Sequence, residues 1–285
     1  MAREDFRSVT GSISSLTLLA SGRLSDIFAW EPGTVVKIFR SANRASLGGP
    51  IIDTSSINRH AALADEARRT RAAATTGVRV PRVIELIEIE GEPGMVMERV
   101  DGPTLQEGLS NGNASIAEVA RITGELQARL LATPVIAPLP RLKGDITKRL
   151  ERATSVPPDL KDALLRLLQD LPDADFLCHG DLHGSNVIMS AEGPVVIDWP
   201  NAALGHPLAD VARTIAVIEA AGGAQDAPWG EFLHAHVRAY RATGAWDGPT
   251  LRGWVTIQRA HRISAAVPEE RERLLVKMRR ALGVT

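Results

Sequence analysis

Two polar clusters set between short apolar runs constrain this chain more than any other feature: His179-Gly-Asp-Leu-His-Gly-Ser-Asn186, then Val195-Val-Ile-Asp198-Trp199. The flanks Phe176 to Cys178, Val187 to Met189 and Val195 to Ile197 read as buried β segments. The polar groups are therefore expected to converge at strand ends. Asp181 stands five residues before Asn186 and seventeen before Asp198, so two carboxylates and one carboxamide meet there. Oxygen ligands of this kind suit a hard divalent cation such as Mg²⁺.

An Asp, an Asn and a second Asp in that chain order fit kinase-type phosphoryl transfer, where the first accepts a hydroxyl proton and the other two hold Mg²⁺. The pattern resembles the aminoglycoside phosphotransferase and choline kinase-like family of small-molecule kinases, a branch related to protein kinases, and the likeness covers nearly the whole chain. The resemblance implies an α+β, bilobal protein kinase-like fold. A small antiparallel-sheet N-lobe over residues 1–100, five strands and one main helix, would bind nucleotide, and a mostly helical C-lobe over 101–285 would hold metal and acceptor. It also implies ATP or GTP as donor, Mg²⁺, and a small molecule with a hydroxyl as acceptor. Asp181 is then the expected base, and Asn186 and Asp198 the metal ligands.

In the same terms Val35-Val-Lys37-Ile-Phe-Arg40 resembles the third strand with its ATP lysine, and Asp65-Glu66-Ala-Arg-Arg69 resembles the helix with its ion-pair glutamate. Met95 to Gly102 resembles the hinge, where Glu98 and Val100 would meet the purine through backbone groups. The segment Ala20-Ser-Gly-Arg-Leu-Ser-Asp26 is the expected nucleotide loop, with Ser21, Gly22 and Ser25 near the phosphates. It carries one glycine where the family pattern has three, and Gly22 reads equally as a plain turn. No Walker A signature is present, which excludes the P-loop class.

Several of these residues carry a second reading. Lys37 shares a strand face with Val35 and Phe39, so an ammonium there needs an anionic partner; a strand lysine alone reads as a solvated edge residue. His179 reads as a buried histidine that braces the loop, because neutral imidazole both donates and accepts. His183 stands where serine/threonine protein kinases place lysine and where the small-molecule kinases often have histidine; it either donates to the transferring phosphate or orders the loop. Asp210 looks like the family's buried aspartate beneath the catalytic loop, and also reads as a first-turn carboxylate favoured by the helix dipole. Gln127 occupies a helix position where relatives often show histidine. Trp199-Pro200 replaces the Phe-Gly of protein kinases, and the fixed proline φ argues against a segment that flips.

Two rival functions remain. A metal-dependent hydrolase would use the alternating His179, Asp181 and His183, but it leaves Asn186 and Asp198 without a role. A catalytically silent nucleotide-binding regulatory module would share the fold, supported only by the thin glycine loop.

A chain of 285 residues with 44% hydrophobic content suits two lobes around a cleft. Thirty-three Lys and Arg against 34 Asp and Glu leave no field to recruit nucleic acid or an anionic membrane. A single Cys178, an acidic start and no long apolar run point to a cytoplasmic protein without a membrane span. Monomer and homodimer stay equally open. Between Asn201 and Thr285 eight acidic residues face eleven Lys or Arg, which disfavours a polycationic antibiotic as acceptor. In that region Trp229, Trp246 and Trp254 read as core or as an aromatic acceptor site, and Glu231, Asp247, Arg259, His261 and Arg262 are unranked candidates.

Strands are expected over 14–19, 26–30, 34–40, 83–89 and 95–100, with a helix over 58–75 and an insertion over 41–56. Ser115-Ile-Ala-Glu118 is a capping box opening a helix to about residue 132, and helices follow over 144–154, 159–170, 208–221, 229–242, 249–265 and 268–282.

Overall fold

Alternation along Thr34–Phe39 organises the N-terminal half. Val36 and Ile38 pack on one sheet face with Phe28, Ile87 and Val96, while Lys37, between them, faces the other way. In this computed structural model, which describes residues 5–22, 24–40, 58–221, 227–263 and 268–284, the sheet has six strands. They are β1 (Arg7–Val9), β2 (Leu18–Ser21), β3 (Ser25–Ala29), β4 (Thr34–Phe39), β5 (Val83–Ile89) and β6 (Glu92–Glu98), in the order β1-β5-β6-β4-β3-β2. The expected insertion over 41–56 lies outside the described residues.

The expectation of five strands is corrected by β1, which runs parallel to β5, while the other neighbours are antiparallel. Three residues are too few to show alternation, and the strand is pinned by the Arg7 guanidinium, whose Nε and Nη2 reach Glu85 at 2.7 and 2.8 Å. The first expected strand is also shifted. Ile13–Ser15 forms a 3₁₀ turn because Ser15 Oγ donates to Ser12 O at 2.7 Å and the Ser12 and Ser14 hydroxyls meet at 2.8 Å, local bonds that compete with sheet pairing. The β5–β6 turn is the two residues Glu90 and Gly91, with φ of 52° and 75°, and this tight turn starts β6 at Glu92, three residues earlier than expected.

Helix α1 (Arg59–Ala73) begins where the Asn58 side chain accepts from Ala61 N–H, and it lays Leu63, Ala64 and Ala67 on the sheet face carrying Leu86 and Met95. Met95 is the cross-strand partner of Lys37, so α1 covers the face to which the lysine points.

The remaining chain is mostly helical: α2 (Leu105–Ser110), α3 (Ile116–Leu130), α4 (Leu142–Arg152), α5 (Pro158–Asp170), α6 (Pro207–Ala221), α7 (Ala227–Arg241), α8 (Gly248–Ile263) and α9 (Pro268–Leu282). Sequence reading missed α2, whose six residues are too short for a helical period, although Thr104 and Glu107 form a full capping box. Ser115 caps α3 as expected, and α5 opens with a first-turn proline, Pro158. One large core joins these helices, and Trp254 and Tyr240 are fully buried in it.

Into this core run short strands: β7 (Phe176–Cys178) pairs with β10 (Ala203–Gly205), and β8 (Val187–Ser190) pairs with β9 (Gly193–Val196). The 179–186 loop links β7 to β8, and Asp198 follows β9. Gly102, at the end of the crossing segment after β6, has φ of 142°, and a Cβ there would collide with the Met189 carbonyl, so the crossing lies directly against β8.

Candidate active site

Lys37 is 7% exposed, and its Nζ lies 2.6 Å from Glu66 Oε1 and 2.7 Å from Asp198 Oδ1. Three segments remote in sequence, β4, α1 and the turn after β9, therefore meet at one ammonium. Burial works to lower the Lys37 pKa, but the two carboxylates outweigh it and raise it, so the side chain stays charged. Burial likewise works to raise the Asp198 carboxyl, and Lys37 holds it below the usual range.

Asp198 is one of two non-glycine residues with positive φ, at 67°, among those described. The next residue explains how it is held. Trp199 is 1% exposed, its Nε1 donates to Val196 O at 3.1 Å, and its ring lies 4.5 Å from that of His179. Arg69 on α1 donates to the Pro200 carbonyl, so the turn is fixed on both sides of the aspartate.

The 179–186 loop is braced from below. His179 is fully buried; its Nε2 donates to Ile197 O at 3.1 Å and its Nδ1 accepts from Asp181 N–H at 3.2 Å. Burial lowers its pKa and keeps it neutral, as this donor and acceptor pattern requires. With both nitrogens engaged, His179 has none left to ligate a metal, which removes the three-residue hydrolase cluster. Gly180, at φ 80°, is gripped from both ends: its N–H donates to Asp210 Oδ1 at 2.7 Å and its carbonyl accepts from Arg213 Nε at 3.0 Å.

Behind Asp210 stands a buried chain. Gln127 Nε2 donates to Asp210 Oδ2 at 2.9 Å, Gln127 Oε1 accepts from His236 Nε2 at 2.9 Å, and His236 Nδ1 lies 3.0 Å from the Thr123 hydroxyl. Burial lowers the His236 pKa to about 4, so it is neutral and can relay only one donor and one acceptor. Gln127 is thus held between Asp210 and a histidine contributed by α7.

Asp181 side-chain exposure is 31%, and its Oδ2 is 3.6 Å from His183 Nε2. Burial works to raise its carboxyl, but His183 and then Arg213 hold it below the usual range, so it is ionised at neutral pH. Asn186 Nδ2 donates to Asp181 O at 2.9 Å and lies 3.4 Å from His183 Nε2, which leaves its amide oxygen turned away from the loop. The second carboxylate oxygen of Asp198 has no hydrogen-bond partner among the described residues. Two uncommitted oxygens, one amide and one carboxylate, are the donor set Mg²⁺ favours, so these residues fit that ion.

The other expected residues are placed as follows. The loop after β2 is closed by Gly22 N–H to Ser25 O at 2.8 Å; Ser21 and Gly22 are exposed, whereas Ser25 is buried at the start of β3. Ser21 Oγ donates to the buried Asp26 at 2.6 Å, so its proton is committed. Glu98 N–H is taken by Arg82 O at 2.9 Å, which leaves its carbonyl for a ligand, while Val100 N–H forms no backbone bond among the described residues. Trp254 is core, Trp229 and Trp246 pack against that core, and Arg241 lies over the Trp246 ring. Asp247 caps α8 through Thr250 N–H, and Arg259 is paired with Glu219. Sequence reading missed Arg213 and His236. Asp210 plus three, on the same face of a helix, is the one signal that pointed to Arg213.

No protein in the curated collection matches this chain. Among solved structures it is similar to the ADP-bound aminoglycoside phosphotransferase APH(2'')-Ib, with 16% identity, TM-score 0.55, and coverage of 95% of this chain and 93% of that one. It is similar to an aminoglycoside-3'-phosphotransferase of type VIII, with 20% identity, TM-score 0.54, and coverage of 86% and 93%. A third is APH(3'')-Id from Streptomyces rimosus in complex with ADP and streptomycin, with 18% identity, TM-score 0.51, and coverage of 82% and 89%. At these identities the likeness establishes the kinase-like α+β fold. Residues 18–254 match the phosphotransferase enzyme family, and with the match spanning both the sheet and the 179–198 site, the chain belongs to that family of kinase-type phosphotransferases.

Proposed function

We propose that the protein transfers the terminal phosphoryl group of a purine nucleoside triphosphate, ATP or GTP, to the hydroxyl of a small molecule. The observation that carries this reading is the meeting of Lys37, Glu66 and Asp198 within 2.7 Å contacts, beside a loop that presents Asp181 and Asn186. Two of the similar structures hold ADP, which supports a purine nucleotide donor.

Asp181 takes the proton of the acceptor hydroxyl as that oxygen bonds to the γ-phosphorus and the bond from phosphorus to the bridging oxygen of the departing diphosphate breaks. Lys37, oriented by Glu66, neutralises the inner phosphates. The Glu98 carbonyl and Val100 N–H face the purine. Ser21, Gly22 and Ser25 belong to the loop over the phosphates. His183, 3.6 Å from Asp181, orders the loop and stands next to the transferring group. Asn186 and Asp198 hold Mg²⁺, which when bound offsets the charge on the phosphate oxygens. The enzyme sits in the cytoplasm, where its donor is abundant; no helix among the described residues is long and apolar enough to cross a membrane.

The test is Asp181→Ala. Turnover of labelled ATP should fall roughly 10²- to 10⁴-fold, the span of a general base, with the Kd for nucleotide unchanged within about threefold. Near-normal transfer by the variant would refute the role of Asp181.

A further inference from the structure

The turn between β2 and β3, which the kinase reading sets over the phosphates, is held from the far side of the sheet by a buried ion pair. Asp26 on β3 stands opposite Ile38 and two residues before Phe28, so its carboxylate lies on their apolar sheet face, the one turned away from Lys37. Asp26 is 1% exposed, and just past the end of β4 the 6% exposed Arg40 sets its Nε 3.5 Å from Asp26 Oδ1. Both residues end on the turn. Asp26 Oδ1 accepts from the Ser21 hydroxyl at 2.6 Å, the Arg40 guanidinium donates to the Gly22 carbonyl, and the Arg40 N–H donates to Leu24 O at 2.9 Å. The Gly22 N–H goes to Ser25 O at 2.8 Å, so Ser21, Gly22, Leu24 and Ser25 are each tied to this bracket or across the turn.

Stability of the sheet does not call for such a pair. The β2–β3 and β3–β4 ladders already hold the strands, Asp26 Oδ2 is buried without a hydrogen-bond partner among the described residues, and apolar residues of similar volume often match or better a buried ion pair. What apolar residues cannot supply is a grip on the Ser21 hydroxyl and the Gly22 carbonyl. A loop of several glycines gives up much backbone freedom when it closes on a ligand. This loop has one glycine and is pinned beforehand, which lowers the ordering cost of binding. We infer that Asp26 and Arg40 are positioning residues for the nucleotide, which touch none of it and preset the turn from Ser21 to Ser25 for its phosphate groups. The inference rests on the kinase reading above and adds the means by which a glycine-poor loop serves it.

The test replaces the pair by apolar side chains, Asp26→Leu with Arg40→Met, in the full chain. Calorimetry with magnesium present then measures binding of AMP-PNP or GMP-PNP, whichever wild type binds more tightly, and separately of the matching nucleoside. The double variant should melt within about 3 °C of wild type, bind the triphosphate analogue roughly tenfold or more weakly, and keep its affinity for the nucleoside. A role in the fold alone predicts equal affinity for the analogue in the two proteins, and that result overturns the inference. So does an equal loss for analogue and nucleoside, which marks a disturbed lobe in place of a displaced turn. Where the double variant does not fold, Asp26→Asn decides: it keeps the shape and the Ser21 contact but weakens the hold on Arg40, so the analogue should bind about threefold more weakly or worse, and unchanged affinity overturns the inference. Wild type that binds neither analogue overturns the kinase reading and this inference with it, whereas unchanged affinity in the variants leaves the kinase reading standing.

Discussion

Replacing Asp210 by Ala and by Asn separates two ways of holding the catalytic loop. In the native chain the Gly180 N–H and the Gln127 amide both end on the Asp210 carboxylate, at 2.7 and 2.9 Å, and Asp210 and Gln127 are 1% and 0% exposed. Asp210→Ala strands both donors, and each unmet buried donor costs about 1–3 kcal/mol, so roughly 4 kcal/mol should be lost. Asp210→Asn keeps the shape but sets an amide NH₂ against the Gln127 NH₂. The chain behind it can reverse. Gln127 turns its amide over, His236 moves its proton to Nδ1, and the Thr123 hydroxyl receives that bond while donating to Val119 O, already 2.9 Å away. Apart from the Thr214 hydroxyl, which loses a long Gln127 N–H contact of 3.3 Å, every group is then paired again, and the main loss is the charge assistance of two bonds, about 2 kcal/mol in total. Urea unfolding at pH 7.5, with the slope checked for constancy, measures both numbers. An Asn variant as unstable as the Ala variant would show that the chain has a fixed direction; a cost below about 0.5 kcal/mol for either would show that Asp210 braces nothing.

Trp199→Ala should cost about 3–5 kcal/mol by emptying a fully buried aromatic site, and crystal structures with and without nucleotide should superimpose at Asp198; an Asp198 that swings away contradicts the fixed turn. Gly102→Ala forces both a collision with the Met189 carbonyl and a φ that alanine avoids, so melting should drop by an amount equivalent to at least about 1–3 kcal/mol, and an unchanged melting temperature would refute the close approach. His236 has an ordinary pKa of 6.5 and a folded value of about 4, so between these values the unfolded chain binds the extra proton. Stability should therefore be unaffected by this group above pH 6.5 and fall as pH drops from 6.5 to 4, by roughly 3 kcal/mol. His236→Asn should flatten that part of the stability profile, and an unchanged slope in urea titrations across this window would refute the assignment.

Asp181, Asn186 and Asp198 were legible in sequence because short apolar strands fix where each polar cluster begins and ends. Lys37 and Glu66 were legible only through their order along the chain, yet the pleat explains why they meet: Lys37 points away from the Val36 and Ile38 face and toward α1. The buried chain was not legible. His236 is one polar residue on an otherwise ordinary amphipathic helix, and what makes it a partner of Gln127 is the packing of α7 on α3, which no local pattern records. Arg213 was hidden for a similar reason, since its partner is a backbone carbonyl 33 residues away and, beyond its three-residue spacing from Asp210, nothing in the sequence marks it. The β1 edge and α2 were lost to brevity, although Thr104 and Glu107 had the spacing that marks a helix start.

Helix α6 holds the two peptide groups that flank the Gly180 Cα, one by its N–H and the next by its carbonyl, from two adjacent turns. The location of the base is thereby inherited from the axial position of a single rod. A slide of α6 along its axis drags Asp181 with it, whereas elements that do not hold Gly180 can shift without carrying the base. Evolution toward new acceptors in such a scaffold is channelled into those other elements, and α6 is left as the part that drifts least.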